Sequence, residues 1–338
     1  MKKLRAAIIG LGKQSIEDHL PGILGSKYTD LVAVCDVDKK KVSMLASKYH
    51  VLGYDNYKNL LKTEKLDFVI VAVPHSEYVN IINEAAKHKV HILKEKPFAR
   101  NLKEAILIKE IVEKNKIHFM ITLQRRFNPI YTTFFQLKEK VGRKLFLDAK
   151  QTMFLKNPQN GWRANKKIAG GGVVLDLGYH LIDLIIWYFG LPDNVFCEFT
   201  IHTILDKDHS VEDTATILFK YNDGFHGSLT ISSYYSPKTQ DLKLIGTKGR
   251  VEVERGAIRK FNETGEMTES LIRENSWPSA ATDQIDYFCK VIKGDKTNLG
   301  NHIYHLQHAA FIDACYKSKK FGKYIDPKKL LAKHLNKI

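Results

Sequence analysis

The chain has 338 residues and a net charge of +16 at neutral pH, from 53 lysines and arginines against 37 acidic residues. Its composition, 44% hydrophobic and 27% charged, is that of a folded globular protein and excludes a disordered chain. The basic residues are spread along the whole chain and form no nucleic-acid-binding motif. We therefore expect it to attract small anions and not nucleic acid.

Neither the start of the chain nor its cysteines indicate secretion or membrane insertion. The apolar run after Lys2 and Lys3 is too short for a signal peptide, and no apolar stretch reaches the roughly 20 residues of a membrane span. The four cysteines are far apart, in a pattern typical neither of a disulfide framework nor of a zinc site. We predict a cytoplasmic protein with reduced thiols, no bound metal and no membrane partner.

The first 122 residues alternate short apolar runs with helical patterns. The runs are nearly continuous in apolar residues, which is typical of strands buried on both faces of a sheet. This alternation predicts a parallel, doubly wound α/β domain over residues 1–122. The predicted strands are residues 6–9, 31–35, 68–73, 90–93 and 118–122, and the predicted helices include residues 39–49, 78–87 and 102–115.

A glycine-rich turn follows the first predicted strand. At a helix N-terminus, the backbone N–H groups of such a turn can bind a pyrophosphate. The third glycine of the usual pattern is replaced by a serine, but the turn stands between a strand and a predicted helix, as a dinucleotide site requires. The residues predicted to bind the cofactor here are Gly10, Gly12, Lys13, Gln14 and Ser15.

An acidic residue, Asp36, ends the second predicted strand. At this spacing a carboxylate accepts hydrogen bonds from the adenosine ribose, although a generic surface aspartate is the alternative. Because Asp36 repels a 2′-phosphate, we predict NAD as the cofactor. NADP stays possible because Lys39, Lys40 and Lys41 follow closely.

After residue 122 the pattern changes to strands of period two, separated by turn signals. It predicts one mostly antiparallel open sheet in a C-terminal α+β domain, residues 123–338. An open sheet covered by helices on one side leaves its outer face free, and we expect self-association there. The predicted strands are residues 146–154, 195–204, 214–221, 225–234, 240–246 and 250–253, and the predicted helices are residues 130–141, 173–188, 283–293 and 304–317.

Three ionisable residues fall on one face of the long apolar helix predicted at residues 173–188. Asp176, His180 and Asp183 are four and three residues apart, after a run of three glycines at residues 170–172. A buried helix does not carry such groups without partners. Either they pair structurally or they line a cleft.

The triplet Glu95-Lys96-Pro97 follows a buried predicted strand, at the edge where open α/β sheets bind ligands. With its context, VHILKEKPFA, and with the GGG…DxGxH segment about 80 residues later, the chain resembles the glucose–fructose oxidoreductase/inositol dehydrogenase (Gfo/Idh/MocA) family over essentially its whole length. The resemblance implies a Rossmann domain, an open-sheet domain and homodimers or homotetramers. It also implies NAD(P)-dependent oxidation of a secondary alcohol in a sugar, inositol or nucleotide sugar.

The resemblance implies a catalytic set of Lys96, Asp176 and His180. His180 acts as the general base and Lys96 stabilises developing alkoxide charge. Asp176 holds a neighbouring hydroxyl. Asp183 either orients the imidazole or forms a structural salt bridge, and the residues alone leave this open.

Further contacts follow from the same resemblance. Tyr78 stands where the family usually has a histidine, four residues after Pro74. Arg126 is expected to contact the substrate together with the catalytic set. The other residues expected at the cofactor are Val73, Pro74, His75, Glu95, Lys96, Pro97, Trp162 and Arg163.

Two other functions of the same fold stay open: an NAD-dependent glycosidase, and a non-enzymatic dinucleotide or sugar sensor. The intact Lys96 and His180 argue against the sensor. The sequence also predicts a cis peptide bond between Lys96 and Pro97, because only X–Pro bonds adopt the cis form at low cost.

Overall fold

The computed structural model describes residues 2–155, 161–201, 210–273 and 277–336, the last segment without the side chains of residues 277–279. The chain divides into two compact units. The first contains Met1–Ala99, Lys103–Gln124 and Ser276–His305, and the second contains Arg100–Leu102, Arg125–Asn275 and Leu306–Ile338. The prediction from sequence assigned residues 276–305 to the C-terminal domain, whereas this segment packs with the first unit.

The first unit is built on a parallel sheet of six strands in the order β3-β2-β1-β4-β5-β6. All of its neighbouring strands run parallel, which confirms the predicted doubly wound sheet. The order reverses between β1 and β4, and in such sheets ligands bind at the carboxyl ends of the strands around this point. The strands are β1 Leu4–Ile9, β2 Thr29–Cys35, β3 Leu52–Tyr54, β4 Phe68–Val71, β5 His91–Lys94 and β6 Phe119–Ile121.

Helices cover this sheet, and three of them match the predicted ranges. The helix α9 (Trp277–Ile292) packs against the sheet, and its residues Ile285, Phe288 and Cys289 belong to the same buried apolar core as the strand residues. The rings of Phe288 and Phe68 meet edge to face, with their centroids 5.6 Å apart. The helices are α1 Leu20–Gly25, α2 Lys39–Tyr49, α3 Tyr57–Thr63, α4 Tyr78–Lys87, α5 Leu102–Asn115 and α9 Trp277–Ile292.

The second unit is built on a sheet of eight strands in the order β14-β13-β12-β11-β7-β10-β9-β8. Only β7 and β10 pair in parallel among these described strands, so the predicted mostly antiparallel sheet is confirmed. The predicted strand at residues 195–204 ends at Thr200, and its residues 202–204 lie outside the described part. The strands are β7 Lys144–Phe154, β8 Asn194–Thr200, β9 Thr214–Lys220, β10 His226–Ser232, β11 Tyr234–Gly246, β12 Gly249–Glu254, β13 Ala257–Phe261 and β14 Met267–Ile272.

One face of this sheet is buried, and the opposite face carries polar side chains near the middle of β7 and β10. On β7, Leu147 and Ala149 are buried, whereas Asp148 between them is exposed. On β10, Leu229 is buried and Ser228 donates to Asp148 across the outer face. The apolar residues of the alternating pattern therefore form the core, and the outer face is not apolar at these positions.

The long helix predicted at residues 173–188 is shorter than expected. Residues 173–178 form successive turns, and the helix begins only at Tyr179. The prediction that Asp176 shares a helical face with His180 and Asp183 is therefore wrong, since Asp176 precedes the helix. The other helices are α6 Pro129–Leu137, α7 Lys166–Ala169, α8 Tyr179–Phe189, α10 His302–Phe321 and α11 Pro327–Leu335. In the described part of the chain, no helix has the length and apolar character to cross a membrane.

Candidate active site

The glycine-rich turn begins where β1 ends. Gly10 has φ +96°, and a Cβ there would lie 2.1 Å from the carbonyl oxygen of Ala72, so the position requires glycine. A Cβ on Gly12 would meet no atom within 4 Å. Gly12, Lys13 and Gln14 are exposed. The turn thus has an open outer side that a ligand can approach.

Asp36 fixes this turn from the end of β2. One carboxylate oxygen accepts the N–H of Leu11 at 2.6 Å, and the other accepts the N–H of Asp38 at 2.9 Å. Below the turn, the hydroxyl of Ser15 donates to the carbonyl of Gly10 at 2.6 Å. A carboxylate has about four acceptor positions, so Asp36 can still accept ribose hydroxyls.

Two of the three lysines after Asp36 have carboxylate partners of their own. Lys39 lies 3.1 Å from Asp55, and Lys41 lies 3.5 Å from Asp38. Asp38 also caps α2 by accepting the N–H groups of its first turn. This arrangement favours the interpretation of these lysines as a solvated first turn.

A short π-helical segment, Ser15–His19, follows the turn and leads into α1. The side-chain amide of Gln14 donates to Asp18, as does that of Gln124 at 3.4 Å. Burial raises the pKa of Asp18. The side chain of Gln14 is therefore hydrogen-bonded within the protein. Lys13 lies 3.8 Å from Glu17, a long distance for an ion pair.

The peptide bond between Lys96 and Pro97 is cis, as predicted. Two residues before Lys96, Lys94 is completely buried at the end of β5. Its Nζ donates to the carbonyl of Glu95 at 2.6 Å and to that of Pro97, and it lies 3.2 Å from the ring centroid of Tyr78. Burial lowers the pKa of Lys94 well below its ordinary value.

Glu95 anchors the same turn from its other side. Its Oε1 lies 2.9 Å from Nε2 of His19 and accepts the hydroxyl of Thr122 at 2.8 Å, and its Oε2 accepts the N–H of Lys96 at 3.1 Å. Burial alone raises the pKa of this carboxyl. The contacts with His19, Lys96 and Thr122 outweigh burial and hold the pKa below its ordinary value.

The predicted contact segment Val73-Pro74-His75 lies beyond β4, which ends at Val71, two residues earlier than expected. Val73 and Pro74 are partly exposed, whereas His75 is buried and stacks on the ring of Tyr78. The hydroxyl of Tyr78 donates to the carbonyl of Lys96 at 3.4 Å. The tyrosine that replaces the family's usual histidine thus supports the Lys96 turn, and a cofactor contact by His75 stays a prediction.

In the second unit, Asp176 lies close to Arg163, another of the predicted residues. Nε of Arg163 lies 3.4 Å from Oδ2 of Asp176, and both side chains are partly exposed. The guanidinium of Arg163 also lies over the ring of Trp162, 4.3 Å from its centroid. His180 is partly exposed on the first turn of α8.

Glu212, which the sequence did not indicate, holds the segment that carries Asp176. Its Oε1 accepts the N–H groups of Gly172 at 2.9 Å and Val174 at 3.1 Å, and the hydroxyl of Tyr316 at 2.8 Å. Burial raises the pKa of Glu212. The carboxylate fixes the start of this segment, in which residues 173–178 form turns and the helix starts later than predicted.

Asp183 forms the structural salt bridge that was one of its two predicted alternatives. Its Oδ2 accepts Nε of Arg126 at 3.1 Å, and its Oδ1 lies 2.8 Å from Nε2 of His308. All three residues are buried. Burial alone raises the pKa of Asp183, but Arg126 and His308 outweigh it and lower the pKa far below its ordinary value. The guanidinium of Arg126 forms its ion pair with Asp183. A contact between Arg126 and the substrate stays a prediction.

The predicted residues thus fall in two sets, one in each unit. The first unit holds the glycine turn, Asp36 and the Lys96 turn, and the second holds Trp162, Arg163, Asp176 and His180. Sequence reasoning missed the supporting residues His19, Lys94, Thr122 and Glu212. Of these only Lys94 had a signal, since it is a charged residue at the end of an apolar strand.

Comparisons with known proteins agree with this architecture. Residues 4–123 match the model of an oxidoreductase family with an NAD-binding Rossmann fold, and residues 138–252 match the Gfo/Idh/MocA C-terminal domain. The D-xylose 1-dehydrogenase (NADP(+)) 2 of Haloferax volcanii is 21% identical over 326 residues, which cover 94% of this chain and 98% of that protein.

Solved structures show the same fold. Levoglucosan dehydrogenase in complex with NADH and levoglucosan has a TM-score of 0.87 at 16% identity, and the match covers 96% of this chain and 99% of that one. Aldose–aldose oxidoreductase from Caulobacter crescentus, in complex with glycerol, has a TM-score of 0.85 at 20% identity and covers 96% and 100%. The two family models together span most of the sequence, and the chain belongs to the Gfo/Idh/MocA family of NAD(P)-dependent oxidoreductases.

Proposed function

We propose that this protein transfers a hydride between a nicotinamide dinucleotide and a secondary alcohol or ketone of a sugar-type small molecule. The observation that carries the proposal is the Lys96 turn. A buried network holds it at the carboxyl end of β5, in the same unit as the glycine turn after β1. The names of the relatives support the substrate class, since D-xylose and levoglucosan are both sugars or sugar derivatives.

The residues of the first unit fit a dinucleotide. Gly10 cannot carry a side chain, and the outer side of Gly12 is open. Asp36 holds the turn and retains acceptor positions for ribose hydroxyls. When bound, the nicotinamide supplies the hydride acceptor or donor.

We assign the chemical roles as follows. The ammonium of Lys96 donates a hydrogen bond to the reacting oxygen and stabilises its negative charge as the proton leaves. The imidazole of His180 accepts that proton. Asp176 accepts a hydrogen bond from a neighbouring substrate hydroxyl, and Arg163 orients Asp176 from 3.4 Å.

We also propose a cytoplasmic location. All four cysteines are free and buried. Reduced thiols of this kind are typical of proteins from a reducing compartment.

A ligand screen tests the function. NADH and NADPH are titrated by fluorescence, and then D-xylose, levoglucosan, inositols and nucleotide sugars are assayed for formation of reduced nicotinamide. We expect dinucleotide binding and turnover of at least one of these compounds. Dinucleotide binding with no turnover would favour the sensor, and release of the aglycone from an aryl glycoside with retained NAD would favour the glycosidase. Absence of dinucleotide binding contradicts the proposal altogether.

A further inference from the structure

We propose that Lys94 is a positioning residue, whose buried ammonium fixes the backbone of Lys96 for catalysis. The inference rests on the proposed function, because it takes Lys96 as the residue that contacts the reacting oxygen. Lys94 itself is completely buried and acts through its neighbour.

The three N–H donors of the ammonium all have partners. Two face the carbonyls of Glu95 and Pro97, the residues on either side of Lys96. The ring of Tyr78, with its centroid 3.2 Å from Nζ, accounts for the third. An ammonium has three donors and no acceptor, so this environment satisfies it completely.

The backbone N–H and carbonyl of Lys96, and the carbonyls on either side of it, all have hydrogen-bond partners. Its N–H donates to Glu95, and its carbonyl accepts the hydroxyl of Tyr78. Lys94 binds the two flanking carbonyls. With the backbone fixed in this way, the direction in which the side chain of Lys96 leaves the turn is fixed as well.

A charge at this position is costly for stability. The preceding strand residues Ile92 and Leu93 are apolar and buried, and an apolar side chain at position 94 would avoid the penalty for burying an ammonium. Burial lowers the pKa of Lys94, which reflects this penalty. What an apolar side chain cannot supply is the pair of hydrogen bonds to the turn.

A double-mutant cycle separates positioning from general stability. We expect Lys94→Met to lower kcat about 10- to 100-fold, as a small misplacement of a catalytic group does. In a Lys96→Met background the same change should lower the residual kcat less than about twofold, because residues that act as a unit are not additive. Lys109→Met, which removes an ion pair with Glu113 on α5, is the matched control and should leave kcat unchanged.

An equal loss in both backgrounds would overturn the proposal, since it would show that Lys94 acts independently of Lys96. If Lys94→Met does not fold, Tyr78→Leu is compared with Tyr78→Phe in the cycle, because both remove the hydroxyl that binds the carbonyl of Lys96 and only Tyr78→Leu removes the ring that the ammonium faces. A readout without substrate is the rate at which an amine-specific reagent labels Lys96, followed by peptide mass spectrometry. We expect at least a threefold change in Lys94→Met and none in Lys109→Met, and an unchanged rate contradicts positioning even if no sugar is turned over.

Discussion

At the scale of single residues, Asp36 has both a structural and an electrostatic role, and only the electrostatic role was predicted from the sequence. It fixes the glycine turn through the N–H of Leu11, and it carries negative charge at the end of β2. Repulsion of a 2′-phosphate by this carboxylate is what distinguishes NAD from NADP in sites of this kind. The ion pairs of Lys39 and Lys41 reduce the positive charge available to compensate.

We therefore expect the protein to bind NADH more tightly than NADPH. In the Asp36→Asn variant the two affinities should be closer to each other. The amide oxygen of asparagine can keep one of the two backbone hydrogen bonds, while the repulsive charge is lost. Fluorescence titration of both dinucleotides measures the ratio in each variant, with Lys40→Met as a control for the neighbouring positive charge. If the wild type binds NADPH more tightly, Asp36 does not select NAD, and Lys39, Lys40 and Lys41 become the candidates for binding the 2′-phosphate.

His180 provides the second test at this scale. Removal of a general base typically lowers a rate about 10²- to 10⁴-fold, and we expect this loss in kcat for His180→Ala. NADH affinity should change little, because the glycine turn and Asp36 belong to the first unit. In the wild type the rate should fall at mildly acidic pH, where imidazoles are protonated.

The control for His180 is His226→Ala, at an exposed position on β10. It should retain the wild-type rate and pH profile. Near-full turnover of His180→Ala with an unchanged pH profile would return His180 to a structural role.

At the scale of elements, the Arg126–Asp183 pair fixes α8 to the segment before α6. We expect Arg126→Met to lower the free energy of unfolding by about 3–5 kcal/mol, the typical effect of removing one partner from a buried pair. Chemical denaturation measures it, and Arg259→Met, which removes an exposed pair with Glu254, should cost about 1 kcal/mol or less. A loss below 1 kcal/mol for Arg126→Met would show that the pair contributes little.

The pair also has a pH dependence with a definite sign. The pKa of Asp183 is lower in the folded protein than in the unfolded chain, so its contribution to stability is present above the unfolded value and disappears as pH falls through the folded one. Since the pKa of Glu95 is lowered as well, the wild type should lose stability on the acid side. Arg126→Met should show a weaker acid dependence, because the charge of Arg126 is the largest of the effects that oppose burial and lower the pKa of Asp183.

The success of prediction also varies among elements, for physical reasons. The helices α2, α4 and α5 were predicted at their observed limits, because amphipathic periodicity is local information. The strands β13 and β14 were missed because most residues of β13 and all residues of β14 are exposed or only half-buried, which leaves no apolar pattern in the sequence. The turns before α8 were missed, and the start of their segment is held by Glu212, about 40 residues away in sequence.

The candidate site divides in the same way. The glycine turn, Asp36 and the cis bond before Pro97 follow local patterns and were predicted. His19, Thr122 and Glu212 act through partners that only the folded chain brings close. Lys94 was visible in the sequence as a charge at a strand end, but its role depends on Tyr78, and Tyr78 had been noted only as a departure from the family pattern.

At the scale of the whole molecule, the net charge is +16, but one patch of the surface carries both signs of charge. On the outer face of the second sheet, acidic and basic side chains alternate around a small pocket of about 160 Å³. Burial raises the pKa of Asp241 at this pocket. The charged residues that line it are Asp148, Lys150, Asp241, Lys243, Glu252 and Glu254.

We predict that two copies associate through this face. An interface with twofold symmetry brings the same patch of both copies together, so a patch with both signs of charge can be complementary to itself. Because the described outer-face residues around the pocket are mostly charged, we expect the association to weaken at high salt.

Light scattering at micromolar concentration should show a dimer or tetramer in low salt. Lys243→Glu should shift it toward the monomer, because it turns the patch more uniformly acidic, whereas Lys333→Glu on α11 should not. A monomer at every salt concentration contradicts the prediction, and an oligomer that Lys243→Glu leaves intact would place the interface elsewhere on the chain.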